Sequence, residues 1–240
     1  MKSETKIFAD PSILATAFAD DFAMWVAGKK QDRITVALSG GSTPKMLFEL
    51  WAKSYTDKLD WSKIHFFWGD ERCVPPDDRD SNYGVANALF FEKVGIGRDK
   101  IHRVLGESDP ASERARYEKE ILDVVEVDGN RLPVFDLIIL GMGDDGHTAS
   151  IFPHESKFLH SDRICEVAVH PQSGQKRITL TGPVINRAKK IVFLITGDSK
   201  ANVLTQVINK SGDYKSFPAS HIESEDLCFY MDQAAASQLS

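Results

Sequence analysis

Between Pro11 and Lys30 apolar residues return every three or four positions, at Ile13, Leu14, Ala17, Phe18, Phe22, Trp25 and Val26. This spacing predicts an amphipathic helix, with Gly28 as its stop. The pattern then changes. Ile34-Thr-Val-Ala-Leu38 is a short β-branched run that leads directly into Ser39-Gly40-Gly41-Ser42-Thr43-Pro44 and a second helical stretch, Lys45 to Lys53. Strand, tight loop and helix follow one another.

The same order repeats. Ile64 to Trp68, Val134 to Leu140 and Lys190 to Thr196 are short apolar runs, each followed by a Gly-containing or acidic loop. Helical spacing fills the stretches near Asn82 to Lys93, Ser112 to Val125 and Lys200 to Ile208. Alternating strands and helices predict an α/β fold of three layers, a mostly parallel, Rossmann-like sheet flanked by helices. Ile164 to Val169 and Arg177 to Leu180 flank a turn at Pro171 to Gly174, which predicts a small antiparallel addition. The Ala- and Ser-rich tail after Asp232 is expected to be ragged.

At 240 residues and 42% hydrophobic content, the chain can bury one large core, so one domain over 1–240 is expected. Met1 to Asp10 has no apolar run of the secretory kind, and no stretch is long enough to cross a bilayer. Cys73, Cys165 and Cys228 are odd in number, widely spaced and without a CxxC pair, which points to a reducing, cytoplasmic compartment. A net charge of −6 provides no basic footprint for nucleic acid, so an anionic ligand would need a local cluster of donors.

Three segments could carry chemistry. Ser39 to Pro44 puts two glycines between a strand and a helix, where exposed N–H groups and the helix dipole suit an anion. It could equally be an ordinary capped turn. Its spacing fits neither GxGxxG nor GxxxxGK[ST], which disfavours a nucleotide. Gly69-Asp70-Glu71-Arg72, at a strand's carboxyl end, is either an anion-binding fork or a solvated charged turn. Ser81-Asn82 reads as a helix cap.

Gly141 to Ser150 (GMGDDGHTAS) follows the most hydrophobic run and carries His147 two and three residues after Asp145 and Asp144. Such a histidine suits a general base, or else caps the next helix. His65, His102 and His221 read as structural. His154 and His160 follow too loosely to define a metal site, and the GxSxG nucleophile elbow is absent.

Taken together, SGGSTP (39–44), WGDERCVP (68–75), SNYGVAN (81–87), GMGDDGHTASIFP (141–153), TGPVINRA (181–188) and FLITGDSKA (193–201) resemble the 6-phosphogluconolactonase family. That family is similar in fold to the glucosamine-6-phosphate deaminases. The resemblance runs from the first helix to about Met231. It implies hydrolysis of 6-phospho-D-glucono-1,5-lactone in the oxidative pentose phosphate pathway. Deaminases of this type carry a glutamate where this chain has Phe152, which disfavours deamination and isomerisation.

The resemblance further implies His147 as the base that activates water, with Asp145 orienting it and Arg72 stabilising negative charge. Gly40, Gly41, Ser42 and Thr43 would bind substrate oxygens, and Asp70 would support the Gly40-Gly41 loop or Arg72. Arg177 and Lys200 would hold the phosphate, although Lys176 could exchange roles with Arg177. No metal or cofactor is implied. The expected partner is a small phosphorylated sugar lactone, with neither nucleic acid nor membrane, and the chain is expected to be a monomer or weak homodimer. A sugar-phosphate isomerase or deaminase and a non-catalytic sugar-phosphate-binding protein are the alternatives.

Overall fold

The computed structural model describes residues 3–239, so the extreme ends of the expected 1–240 domain lie outside it. Its strands are β1 (Glu4–Phe8), β2 (Ile34–Leu38), β3 (Ile64–Trp68), β4 (Asp70–Arg72), β5 (Leu137–Leu140), β6 (Cys165–Val169), β7 (Lys176–Leu180), β8 (Ile191–Ile195) and β9 (Leu227–Asp232). The helices are α1 (Pro11–Ala27), α2 (Ser42–Ser54), α3 (Asn82–Ala86), α4 (Glu92–Val94), α5 (Pro110–Val124), α6 (Gly182–Asn186) and α7 (Ala201–Asn209). Six strands form a parallel sheet in the order β1-β9-β8-β5-β2-β3, and β4-β7-β6 form a small antiparallel sheet.

Because the parallel strands other than β1 are buried on both faces, alternation along each sorts its side chains between two cores. Val36, Leu38, Phe66, Trp68, Leu137, Ile139, Val192 and Leu194 face one core with α1, α2 and the α3–α4 segment. Ala37, Phe67, Ile138, Leu140, Ile191, Phe193 and Ile195 face the other, which α5, α7 and the antiparallel sheet cover. Three layers follow from this alternation.

Local signals set the helix ends. Asp10 caps α1, accepting hydrogen bonds from the Ser12 and Ile13 N–H groups at 2.8 and 2.9 Å, and Pro11 opens the helix. Its buried stripe includes Leu14, Phe18, Phe22 and Val26, while Ile13 faces outward. The helical stretch from Asn82 to Val94 contains a π-helical turn at Asn87–Phe91, which turns the consecutive Phe90 and Phe91 both into the core.

Some elements differ from the sequence pattern. β1 and β9 pair in parallel at one side of the sheet, although the charged Glu4–Phe8 run carries little apolar signal. The acidic Asp70-Glu71-Arg72 segment is a strand paired with β7, not a solvated turn. The expected strand from Val134 narrows to Leu137–Leu140. Before it, the Val134 N–H donates to Glu126 O, and the Asp136 carboxylate accepts from the Thr35 N–H and hydroxyl.

Candidate active site

In the main sheet the chain turns from β2 to β3 on one side and returns through β5, β8 and β9 on the other. The loops that leave β2 and β5 therefore emerge side by side at the carboxyl end, where open α/β sheets bind ligands. They are Ser39 to Gly41 and Gly141 to Ser150. The turn after β8, which carries Lys200, is tied to the same place by a 2.9 Å hydrogen bond between the Thr43 and Thr196 hydroxyls.

His147 is fixed from three directions. Asp145 Oδ1 lies 2.6 Å from His147 Nδ1 and also accepts the His147 N–H at 3.0 Å. A carboxylate accepts, so Nδ1 carries the proton and Nε2 is the free acceptor of the ring. The imidazole also packs on Phe152, centroid to centroid 4.8 Å. Burial opposes ionisation of Asp145, but the side-chain hydrogen bond and charge attraction of His147 and the main-chain hydrogen bonds together outweigh it and hold this carboxyl down at about 2.

The backbone beneath this pair is specialised. Gly146 has φ +78°, and a methyl there would meet the Phe217 ring. Ala149 adopts φ +48°, a left-handed conformation that costs a non-glycine residue about 1–2 kcal/mol. It sits one residue before Ser150, whose hydroxyl donates to Asp70 Oδ2 at 2.6 Å.

The antiparallel sheet delivers the cations. Arg72 and Arg177 are register partners across β4 and β7. Strand alternation turns Arg177 inward and its neighbour Lys176 outward, which separates the two candidates. Arg177 lies over the Phe152 ring at 5.7 Å and 3.9 Å from Asp70. Burial lowers the Arg177 pKa against the pull of Asp70, and the neighbouring Arg72 lowers it further. Arg72 Nη1 donates to Asp80 O at 2.6 Å. The Nε–H groups of both arginines are buried without a protein partner, as is the Ser39 hydroxyl. Buried donors left unpaired by the protein mark where an acceptor belongs.

Gly40, Gly41, Ser42 and Arg72 share a cleft of about 230 Å³ with Lys45, Arg79 and Asn82. A wider groove of about 690 Å³ adjoins it at Lys45, Arg79 and Val85. The smaller cleft is the better candidate, because it contains an unpaired guanidinium donor and the opening of α2. No side chain caps that helix.

One expected role is corrected. The Asp70 side chain supports neither the glycine loop nor Arg72, because it turns to Ser150 and Arg177. Asn82 takes that place: its Nδ2 donates to Asp70 O at 2.9 Å, and its side chain occupies the space a Cβ on Gly40 would need. Lys45, Arg79 and Asn82 went unread as site residues. Lys45, one turn into a helix that starts at the glycine loop, carried the only local signal.

Among the described residues Lys200 has no side-chain hydrogen-bond or ion-pair partner, and it stands on the turn before α7. His154 and His170 flank Phe152, at 5.8 and 5.4 Å. Among the described residues no group of three or more His, Cys, Asp or Glu side chains could hold a metal. No helix there is long and apolar enough to cross a membrane.

The sequence model for glucosamine-6-phosphate isomerases and 6-phosphogluconolactonases matches residues 9–230. A 6-phosphogluconolactonase of Haemophilus influenzae is 44% identical over 209 residues, covering 86% of this chain and 88% of that protein. One from Nostoc sp. is 38% identical and covers both chains in full. The solved 6-phosphogluconolactonase of Trypanosoma cruzi superposes with a TM-score of 0.89 at 29% identity, over 100% of this chain and 97% of that one. Motif order, fold and full-length similarity agree, and the chain belongs to the glucosamine-6-phosphate isomerase/6-phosphogluconolactonase family.

Proposed function

We propose that this protein hydrolyses 6-phospho-D-glucono-1,5-lactone to 6-phospho-D-gluconate, the lactone step of the oxidative pentose phosphate pathway, with water activated by His147. One observation carries the reading. The free Nε2 of an Asp145-oriented histidine belongs to the same end of the sheet as two half-buried arginines whose buried Nε–H groups lack acceptors among the described residues.

In the scheme, His147 Nε2 takes a proton from water as the oxygen adds to the lactone carbonyl. The resulting oxyanion is stabilised by Arg72, and such preorganised donors are worth about 2.7 to 4 kcal/mol each. Collapse of the tetrahedral intermediate breaks the bond to the ring oxygen, which leaves with the proton returned from His147. The products are a carboxylic acid, which ionises, and a hydroxyl group. The charge that develops on the imidazole is countered by Asp145, while Asp70 holds Arg177.

Main-chain N–H groups of Gly40, Gly41, Ser42 and Thr43 bind substrate oxygens, and Arg177 and Lys200 receive the phosphate. A δ-lactone is reactive enough that positioning and one base suffice, and no metal or cofactor enters the scheme. The relatives named as lactonases support this chemistry over deamination. So does Phe152, buried and apolar where the deaminases that this chain resembles carry an acid.

The proposal includes a cytoplasmic location, a monomer or weak homodimer, and the whole 1–240 chain acting as one domain. The free Cys73, Cys165 and Cys228 support the location. The deciding experiment follows loss of 6-phosphogluconolactone with purified protein and a chelator, corrected for spontaneous hydrolysis. Fast, chelator-resistant loss is expected. A rate no faster than the spontaneous one would overturn the reading and favour the deaminase, isomerase or non-catalytic alternatives.

A further inference from the structure

Glu71 stands between two residues of the site and takes no part in the chemistry described above. It is 1% exposed. Its hydrogen bonds come from three main-chain N–H groups and one hydroxyl: Oε1 accepts from Arg72 N at 2.7 Å and Asn82 N at 2.8 Å, and Oε2 accepts from Tyr83 N at 2.7 Å and Ser81 Oγ at 3.3 Å. The segment from Asp80 to Tyr83 is therefore held by three consecutive β4 residues. Asp70 O takes the Asn82 amide, Glu71 takes the main chain of Asn82 and Tyr83, and Arg72 donates to Asp80 O. On its other side the segment presses Asn82 against Gly40.

We propose that Glu71 is a positioning residue for substrate binding: its carboxylate locks the Asp80–Tyr83 segment to β4, and through Asn82 and Asp80 sets the spacing between the Gly40–Thr43 loop and the Arg72 guanidinium. Only an acceptor at both oxygens can do this, because all the groups around it donate. The residue lies at a distance from the His147–Asp145 pair in the bonding network, since none of its partners belongs to the 141–150 loop. Its influence therefore falls on binding, and through Arg72 on the oxyanion, rather than on proton transfer by His147. This inference rests on the proposed lactonase reading for its choice of ligand.

The test compares wild type, Glu71→Gln, Asn82→Ala and the double variant. Glu71→Gln keeps the shape but turns an NH2 group toward backbone donors. Affinity for 6-phosphogluconate is measured by calorimetry beside kcat and KM for the lactone, with far-UV circular dichroism to verify folding. A folded Glu71→Gln should show KM and product Kd raised about tenfold, as expected for one or two lost hydrogen bonds. Its kcat should fall by no more than about tenfold, far less than in His147→Ala, because proton transfer is untouched and only the placing of Arg72 is disturbed. The double variant should bind no more weakly than the weaker single one, because both break the same link.

Wild-type KM and Kd in Glu71→Gln, or fully additive effects in the double variant, would overturn the inference. If Glu71→Gln does not fold, Asn82→Ala alone decides: it must weaken product binding, and wild-type affinity would sink the idea. Wild-type turnover tests the lactonase reading separately, so failure of one is distinguishable from failure of the other.

Discussion

Commitment of the His147 Nδ1 hydrogen to Asp145 leaves Nε2 as the ring's only acceptor. His147→Ala should lower kcat by roughly two to four orders of magnitude, the range for a lost general base. Product affinity should change little, and near-normal turnover would remove His147 from the role. The folded-state pKa of Asp145 is depressed, so its stabilising contribution is present above its ordinary value and is lost only as pH falls toward about 2. The pair therefore persists across the neutral range. Among the described residues the Lys200 ammonium has no partner, and Lys200→Ala should raise KM for the phosphorylated lactone while sparing an unphosphorylated one. Equal effects on both substrates would take Lys200 out of the phosphate site. At this scale the motifs that carry His147, Asp145 and Arg72 stand out in the sequence because their glycines, acids and arginine are dense and adjacent. Arg79 and Asn82 do not stand out, because folding, rather than spacing, brings them to the cleft, whereas Lys45 is marked only by its place one turn into α2.

The loop after β5 is held in shape by its neighbours. Gly146 O accepts from Ala219 N at 3.0 Å, and the Phe217 side chain fills the space beside its Cα. In Gly146→Ala the left-handed backbone alone costs about 1–2 kcal/mol. The new methyl would also lie 2.5 Å from Phe217 Cβ. A lower urea midpoint together with reduced kcat is expected, since the same loop aims His147. An unchanged midpoint would mean that the 214–221 segment does not brace the loop. Strands β2, β3 and β8 were readable because parallel strands buried on both faces are continuous apolar runs. β1 was not, since a short charged strand becomes one only by pairing with β9. β4 was hidden for a related reason: its acids and arginine are satisfied by β7, by Ser150, by the main chain of Asp80, Asn82 and Tyr83 and by the Ser81 hydroxyl, on segments apart from the strand.

At the scale of the whole molecule, a polar chain runs beside the core, with His65 and His102 buried at its centre. Lys100 Nζ lies 3.3 Å from His65 Nε2, His65 Nδ1 lies 2.9 Å from His102 Nε2, and His102 Nδ1 lies 2.9 Å from Glu120. Because lysine only donates and a carboxylate only accepts, every hydrogen in this relay points toward Glu120, and His65 Nε2 is left as an acceptor. Burial, then the charges of Lys100 and neighbours such as Arg33, push His65 down to about 4, with Asp99 pulling the other way. The depressed value means that the contribution to stability is complete above about 6.5, the ordinary histidine value, and is lost as pH falls toward 4. Wild type should lose stability over that window, with His65 responsible for about 1–2 kcal/mol after allowance for solvent screening. Urea midpoints at pH 7 and pH 4.5 check this: His65→Phe should lose less than wild type, and an equal loss would clear His65 of the effect.

The amino-acid sequence by itself determined the alternation of strands and helices, the parallel sheet, and the three loops that carry His147, Arg72 and the glycines. Those features depend on local periodicity and on residues adjacent in the chain. Tertiary structure alone decided that Arg177 rather than Lys176 faces the site, that Asp70 serves Ser150 and Arg177, and that Asn82 closes on Gly40. Each is a contact between segments dozens of residues apart, fixed by strand register and by the need of buried polar groups for partners.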